Sequence, residues 1–257
     1  MKQTNRIPQS NGNSKRTGLA RALSKLGYCS RTRAFELIRE GKVRLNGKLC
    51  KNPETPVRMG ADRIEVAGQW LKTARKIYLM INKPRGIVTT ASDEKGRDTV
   101  YSLLPAETEW IAPVGRLDKA SEGLLLLTND SEWAARITDP ATHLDKTYHV
   151  QIGTIASQEL LEKLERGTKT GKGEVLRVKR SAMLRAGKKN SWIELVLDEG
   201  KNRQIRRMLD VLGLEVLRLI RISIGPLQLG ELGKGQNRNL SPGEVALLGK
   251  TCRARPS

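Results

Sequence analysis

Asp118 stands in the stretch Gly115-Arg116-Leu117-Asp118-Lys119-Ala120-Ser121-Glu122-Gly123, between two cations, Arg116 and Lys119. Cations beside a carboxylate favour its ionised form, which can attack an electrophilic carbon or take up a proton. The same residue in a basic loop also suits an ordinary turn or cap. Tyr148 lies in Asp145-Lys146-Thr147-Tyr148-His149-Val150-Gln151-Ile152. Its ring could stack on one planar base, or serve as a half-buried strand tyrosine. His149 falls on the opposite strand face and is given no role. Three arginines follow in Glu199-Gly200-Lys201-Asn202-Arg203-Gln204-Ile205-Arg206-Arg207-Met208-Leu209. One of them could pair with a carboxylate and keep it charged, or the set could bind phosphate from an exposed basic helix.

Each group needs an element to hold it. Leu124 to Leu127 are four consecutive leucines between Gly123 and a Thr128-Asn129-Asp130 turn. They predict a strand buried on both faces, with Asp118 on the loop entering it. Alternation over 145–152 predicts a second strand carrying Tyr148. Trp192-Ile193-Glu194-Leu195-Val196-Leu197 predicts a third, which passes through a glycine turn into a helix. On that helix Ile205, Met208, Leu209 and Leu212 form the buried stripe, and Arg203, Arg206 and Arg207 fall away from it. Tyr78 to Gly86 reads as a strand running into a Pro/Gly turn, and the Gly-rich stretch 230–238, with Lys234 and Arg238, as a basic loop. Strands and short helices alternate irregularly, without the rhythm of a doubly wound parallel sheet. The expected class is α+β, with a mixed, mainly antiparallel sheet and flanking helices.

Charge narrows the partner. The 257 residues carry 47 Lys and Arg against 27 Asp and Glu, a net +20. Such an excess repels itself and calls for a polyanion or an anionic membrane. No apolar run approaches the roughly 18 residues that span a bilayer, and the N-terminus lacks the apolar core of a secretory signal. Nucleic acid in the cytoplasm is the expected partner. Three widely spaced cysteines imply no disulfide framework, and two histidines without a C-x-x-C pair leave a structural zinc without ligands. There is no phosphate-binding G-x-x-x-x-G-K-[ST] loop, no Rossmann glycine fingerprint and no G-x-S-x-G elbow, so no cofactor and no metal are expected. Aromatics make up 4% of the chain, too few for a platform that stacks several bases.

The basic excess is densest near the start. Between Ser14 and Lys51, eleven Lys and Arg stand against two Glu, which leaves +9. Leu19, Ala22, Leu23 and Leu26 predict a short helix ended by Gly27. Ser30 caps a second helix carrying Ala34, Leu37 and Ile38, ended by Gly41, and Asn46-Gly47 turns a hairpin. Leu19-Ala20-Arg21-Ala22-Leu23-Ser24, Ser30-Arg31 and Glu40 to Gly47 resemble the small RNA-binding module of ribosomal protein S-four, the alpha-L motif. That resemblance covers residues 18–64 and makes Arg21, Arg31, Arg33, Lys42 and Arg44 expected RNA contacts.

As whole strings, Gly115-Arg116-Leu117-Asp118, Glu122 to Asp130, Lys146-Thr147-Tyr148 and Arg203-Gln204-Ile205-Arg206 resemble the pseudouridine synthases that modify ribosomal RNA. The resemblance implies an isomerisation in which uracil leaves its sugar, turns over and reattaches through carbon 5, without a cofactor. It implies Asp118 as the catalytic carboxylate, acting as nucleophile or base. Tyr148 would pack against the target base, and Arg206 would pair with Asp118. Arg203 ranks second for that pairing and is expected to bind RNA, as are Lys201 and Arg207, while Arg116 would fill the space left by a flipped nucleotide. Ser121 and Ser131 stand where many relatives have threonine and glycine. Gly96 to Val100 and Asn202-Arg203 look more like the large-subunit relatives, favouring 23S over 16S RNA. A non-catalytic RNA-binding or ribosome-assembly protein of the same fold is the alternative, and the joint presence of Asp118, Tyr148 and Arg206 weighs against it. The expected organisation is a disordered basic tail over 1–17, an RNA-binding domain over 18–64, a linker over 65–75, a catalytic domain over 76–250 and a tail over 251–257. The chain is expected to act as a monomer.

Overall fold

The computed structural model describes residues 16–90, 96–171 and 173–252. They form two compact units divided between Arg75 and Lys76. Most of the expected basic tail lies outside the described residues, but Arg16 and Thr17 already belong to a strand.

The small unit runs β1 (Arg16–Gly18), α1 (Leu19–Lys25), α2 (Arg31–Arg39), β2 (Val43–Leu45), β3 (Lys48–Leu49), β4 (Pro56–Arg58), β5 (Ile64–Val66) and β6 (Gln69–Trp70). Ser30 caps α2, its hydroxyl accepting from the Arg33 N–H at 3.1 Å. Asn46 and Gly47 both take positive φ, 50° and 81°, which gives the β2–β3 hairpin the twist its strands need. Leu19, Leu23, Ile38, Val43, Val57 and Ile64 share one core. The stretch expected to be a linker is largely structured: Glu65 to Trp70 complete a four-stranded sheet ordered β3-β2-β5-β6, and Leu71 packs on the core. The turn there is Ala67-Gly68, with φ of 50° and 84°. Alanine rarely occupies a left-handed position, so this turn carries no Asn-Gly signal.

The large unit runs β7 (Tyr78–Lys83), β8 (Ala112–Val114), β9 (Glu122–Thr128), α3 (Ser131–Thr138), β10 (Lys146–Ile152), α4 (Gln158–Arg166), β11 (Thr168–Lys169) and β12 (Val175–Leu176). It continues through β13 (Arg180–Ala186), β14 (Ser191–Leu197), α5 (Gln204–Val211), β15 (Val216–Ile224), β16 (Leu227–Gln228), β17 (Asn237–Asn239) and α6 (Pro242–Thr251). Its sheet is ordered β13-β14-β10-β15-β9-β7-β17, with β8 also on β9 and β16 on β15. Every pair is antiparallel except β9 with β15, so the α+β class holds. The expected basic loop at 230–238 ends in β17, which pairs with β7 at the sheet edge. The helix α6 extends through Thr251, one residue into the expected tail.

All seven residues of β9 are buried, which is why four consecutive leucines, Leu124 to Leu127, fill its middle. Leu124 and Leu126 meet Trp133 and Ile137 of α3 and Leu248 of α6. Leu125 and Leu127 face Ile81, Val100 and Ile111 on the other side. Each leucine buried this way contributes about 1.5–3 kcal/mol. The parallel contact with β15 is short, joining Glu122 to Ile220 and Gly123 to Arg221. Gly123 has φ of 102°, and a Cβ there would collide with the Arg221 carbonyl oxygen. Only glycine allows this approach, which joins the β9 half of the sheet to the β10 half.

Candidate active site

The loop between β8 and β9 delivers Asp118, and its backbone is held carbonyl by carbonyl. Thr89 Oγ1 donates to the Leu117 carbonyl at 2.8 Å. Gly86 N–H donates to that of Lys119 at 2.8 Å, and Ser121 N–H to that of Asp118 at 2.9 Å. Lys83 Nζ donates to the carbonyls of Asp118 at 3.1 Å, Ser121 at 2.8 Å and Pro84 at 3.1 Å. Arg206 Nη2 donates to the Ala120 carbonyl at 3.0 Å. Five consecutive peptide oxygens thus have a donor, and the Asp118 side chain is left to protrude.

The arginines divide the work differently from the sequence expectation. The direct partner of the Asp118 carboxylate is Arg203, whose Nη1 lies 3.3 Å from Oδ2. Arg206 instead spends a donor on the loop backbone. Its Nε is buried without a partner, and its charge acts on Asp118 at longer range. Burial lowers the Arg206 pKa, Arg203 adds to this, and Asp118 opposes it. The physical reason lies at the start of α5. Arg203 caps that helix in a left-handed conformation, φ 49° and ψ 34°, which turns its side chain towards the carboxylate. Helical periodicity places both arginines off the buried stripe and cannot register that turn.

Asp118, Tyr148, Arg203 and Arg206 line one cleft of about 650 Å³, with Arg116 and Lys201. That volume lies within the usual span for a small-molecule site. Tyr148 is half-buried and packs against the core clusters on both sides of it. The apolar wall includes Leu117, Leu197, Leu219 and Ile224.

The expected RNA contacts are spread over both units. Arg116 is exposed and forms no hydrogen bond or ion pair among the described residues. Lys201 pairs with Glu199 at 3.0 Å and Glu174 at 3.5 Å, and Arg207 pairs with Glu174 at 2.5 Å. In the small unit Arg21 and Arg31 are exposed, while Arg33 meets Glu36 at 2.8 Å and Lys42 meets Glu40 at 2.7 Å. Arg44 Nη1 donates to the Gly47 carbonyl at 3.0 Å. No helix among the described residues is long and apolar enough to cross a membrane, and no His, Cys, Asp and Glu cluster there could hold a metal ion.

Sequence reasoning assigned no role to several residues that build this site. Lys83 is fully buried, and burial pushes its pKa down to about 8 against the pull of Asp118 and Glu122. A lysine closing the apolar run Leu79-Met80-Ile81 was the available signal. Glu122 is buried and accepts from Arg218 Nε at 3.0 Å and Nη2 at 2.9 Å, with Lys234 Nζ 3.0 Å away. Lys146 shares the Tyr148 face of β10, two residues away, and lines the cleft with Arg221.

Comparison with known proteins places the chain in a family. Residues 77–210 match the family model described as RNA pseudouridylate synthase, and residues 17–64 match the S4 domain. The chain is 40% identical over 231 residues to the Bacillus subtilis protein named ribosomal large subunit pseudouridine synthase B, covering 90% of this chain and 94% of the relative. It is 37% identical to an uncharacterized RNA pseudouridine synthase of Aquifex aeolicus, over 89% of this chain and 92% of that protein. A crystal structure of a pseudouridylate synthase superposes with a TM-score of 0.64 at 28% identity, covering 90% of this chain and 99% of that one. A family model that spans half the chain and relatives matched along nearly their whole length place this protein among the RNA pseudouridine synthases, as a member with an S4 domain ahead of its catalytic unit.

Proposed function

We propose that this enzyme converts a specific uridine of large-subunit ribosomal RNA to pseudouridine, with Asp118 as the reacting carboxylate. The observation that carries the reading is the Asp118 loop: five consecutive carbonyls of its backbone are tied, while its carboxylate meets one arginine at 3.3 Å inside a cleft that also holds Tyr148. A fixed backbone sets the direction of attack, and a carboxylate with few partners keeps an oxygen available to react. The target nucleotide leaves its stack, at a cost of a few kcal/mol, and its base lies against Tyr148. Arg116, exposed at the rim and without a side-chain partner among the described residues, fills the vacated space. Arg203 pairs directly with the Asp118 carboxylate as its counter-charge, and Arg206 holds the loop through the Ala120 carbonyl. No atom is gained or lost, so the reaction needs no cofactor.

The name of the Bacillus relative supports the large subunit as substrate, together with Gly96 to Val100 and Asn202-Arg203. The basic small unit supplies much of the phosphate contact. If about six phosphates of a single strand are neutralised, the log–log salt slope of binding is about −4. The test is a carbodiimide map of pseudouridines in ribosomal RNA from cells with and without the protein. One large-subunit site disappears without it and returns with wild type but not with Asp118→Asn. Full restoration by Asp118→Asn would sink the catalytic assignment.

A further inference from the structure

The cleft has a second charged wall, separate from the arginines around Asp118. Lys146 and Tyr148 are two residues apart on β10, and Tyr148 stands opposite Arg221 on β15. Residues that alternate along a strand or face each other across an antiparallel pair present their side chains to one face. All three line the cleft. Arg221 is only 6% exposed. Its Nε donates to the Leu124 carbonyl at 2.8 Å, whereas its Nη2 is buried with no partner. The Lys146 side chain makes no hydrogen bond or ion pair among the described residues. Burial lowers its pKa, the nearby Arg221 lowers it further, and Asp145, Asp198 and Cys252 only partly offset this. Leu197, Leu219 and Ile224 keep the surroundings apolar. Two neighbouring cations with spare donors in such a setting are costly unless an anionic group arrives between them.

We propose that Lys146 and Arg221 hold a carbonyl oxygen of the target uracil and stabilise the negative charge the base carries once detached from its sugar. The proposal rests on the function proposed above and deepens it. Tyr148 takes the face of the ring, and its two neighbours on the same sheet face reach the ring edge. When the bond between the sugar's anomeric carbon and N1 breaks, its electron pair stays with the uracil and spreads over N1 and the carbonyl oxygens. The anomeric carbon receives a pair from the Asp118 carboxylate, or Asp118 removes the proton of the neighbouring sugar carbon. Lys146 and Arg221 donate hydrogen bonds throughout and transfer no proton. The base turns, carbon 5 gives a pair to the anomeric carbon, and Asp118 recovers its own pair or returns its proton. Carbon 5 then loses its proton and N1 gains one, so the product is an isomer of the substrate. Preorganised donors aimed at developing charge are the strongest single device such a site can offer.

The test is single-turnover loss of the target nucleotide from a ribosomal RNA fragment treated with the full chain, read by nuclease digestion and mass spectrometry, with uridine or 5-fluorouridine at the target; fluorine cannot leave carbon 5 as the proton does, so that substrate ends as the carbon-5-linked isomer with water added at carbon 6. Fluorine stabilises the detached base on its own and so reduces its need for the cationic wall. Lys146→Met removes a buried charge without changing length much and is expected to fold. It should slow uridine by about 10²-fold and 5-fluorouridine by far less, with RNA affinity unchanged. Arg221→Lys, which keeps charge but loses the fork, should show the same bias more weakly. Unchanged turnover of uridine by Lys146→Met, or equal slowing of both substrates by both variants, overturns the proposal. Wild-type protein that leaves uridine intact, or full turnover by Asp118→Asn, would instead overturn the underlying function.

Discussion

Asp118 and Glu122 lie four residues apart at the mouth of the same strand, and their surroundings are opposite. The Glu122 side chain is 5% exposed and meets a bidentate Arg218 and Lys234. Burial alone would raise its pKa, but the hydrogen bonds from Arg218 and Lys234 win and hold it lowered. Asp118 is 29% exposed and has one arginine at 3.3 Å. Where Glu122 is fixed through its carboxylate, Asp118 is fixed through its main chain. A structural carboxylate has its oxygens consumed; a reactive one keeps them available while everything behind it is held. Lys83 links the two designs, because its buried ammonium fastens the carbonyls of Asp118 and Ser121.

That contrast can be broken at its hinge. Lys83→Met removes two hydrogen bonds from the loop and a third to Pro84, and should cost about 2–4 kcal/mol in urea denaturation, with turnover falling about 10²-fold while RNA affinity stays the same. Its pH dependence is a second check. Burial holds folded Lys83 near 8, below an unfolded lysine near 10.5, so the unfolded chain binds more protons between those values. Stability from this residue therefore rises with pH across that window, and Lys83→Met should abolish the rise. Unchanged turnover in Lys83→Met would show that the loop is held without it.

Glu122→Gln is the next largest effect. It leaves Arg218 and Lys234 without a counter-charge, but both are partly exposed, which limits the cost to about 2 kcal/mol. The loss should appear as a lower urea midpoint, with single-turnover rate per folded molecule within a few-fold of wild type. A collapse of turnover without loss of stability would make Glu122 reactive and erase the comparison. The smallest effect is expected at Glu244, which caps α6 and pairs with Arg238 at 2.7 Å. That hydrogen bond, ahead of an opposing burial effect, takes its carboxyl down to about 2. Its contribution is present above the unfolded value near 4.5 and lost as pH falls towards 2. Glu244→Gln should cost under about 1 kcal/mol at neutral pH and flatten the acid limb of a thermal melt.

The parts of this account visible in the sequence are those set by local pattern. Four leucines in a row announce a doubly buried strand, and Ser30 and Asn46-Gly47 mark a cap and a hairpin before any tertiary contact forms. Asp118 and Tyr148 could be singled out because their segments are distinctive as strings. Lys83 could not be given its role, since a lysine closing a strand usually points to solvent and its acceptors come 35 and 38 residues later. The exchange of roles between Arg203 and Arg206 depends on one left-handed residue, which side-chain periodicity does not encode. β17 pairs with a strand some 150 residues earlier, so its Gly-rich approach reads as a loop until the sheet is assembled.

The most direct test of Asp118 uses purified protein and ribosomal RNA carrying tritium on carbon 5 of its uracils. Carbon 5 becomes the new attachment point, so its hydrogen must leave when pseudouridine forms. Wild type should release tritium in an amount equal to one site per RNA. Asp118→Asn should bind the same RNA with similar affinity and release tritium slower by on the order of 10⁴-fold or more. Tritium release by Asp118→Asn at the wild-type rate would contradict the account.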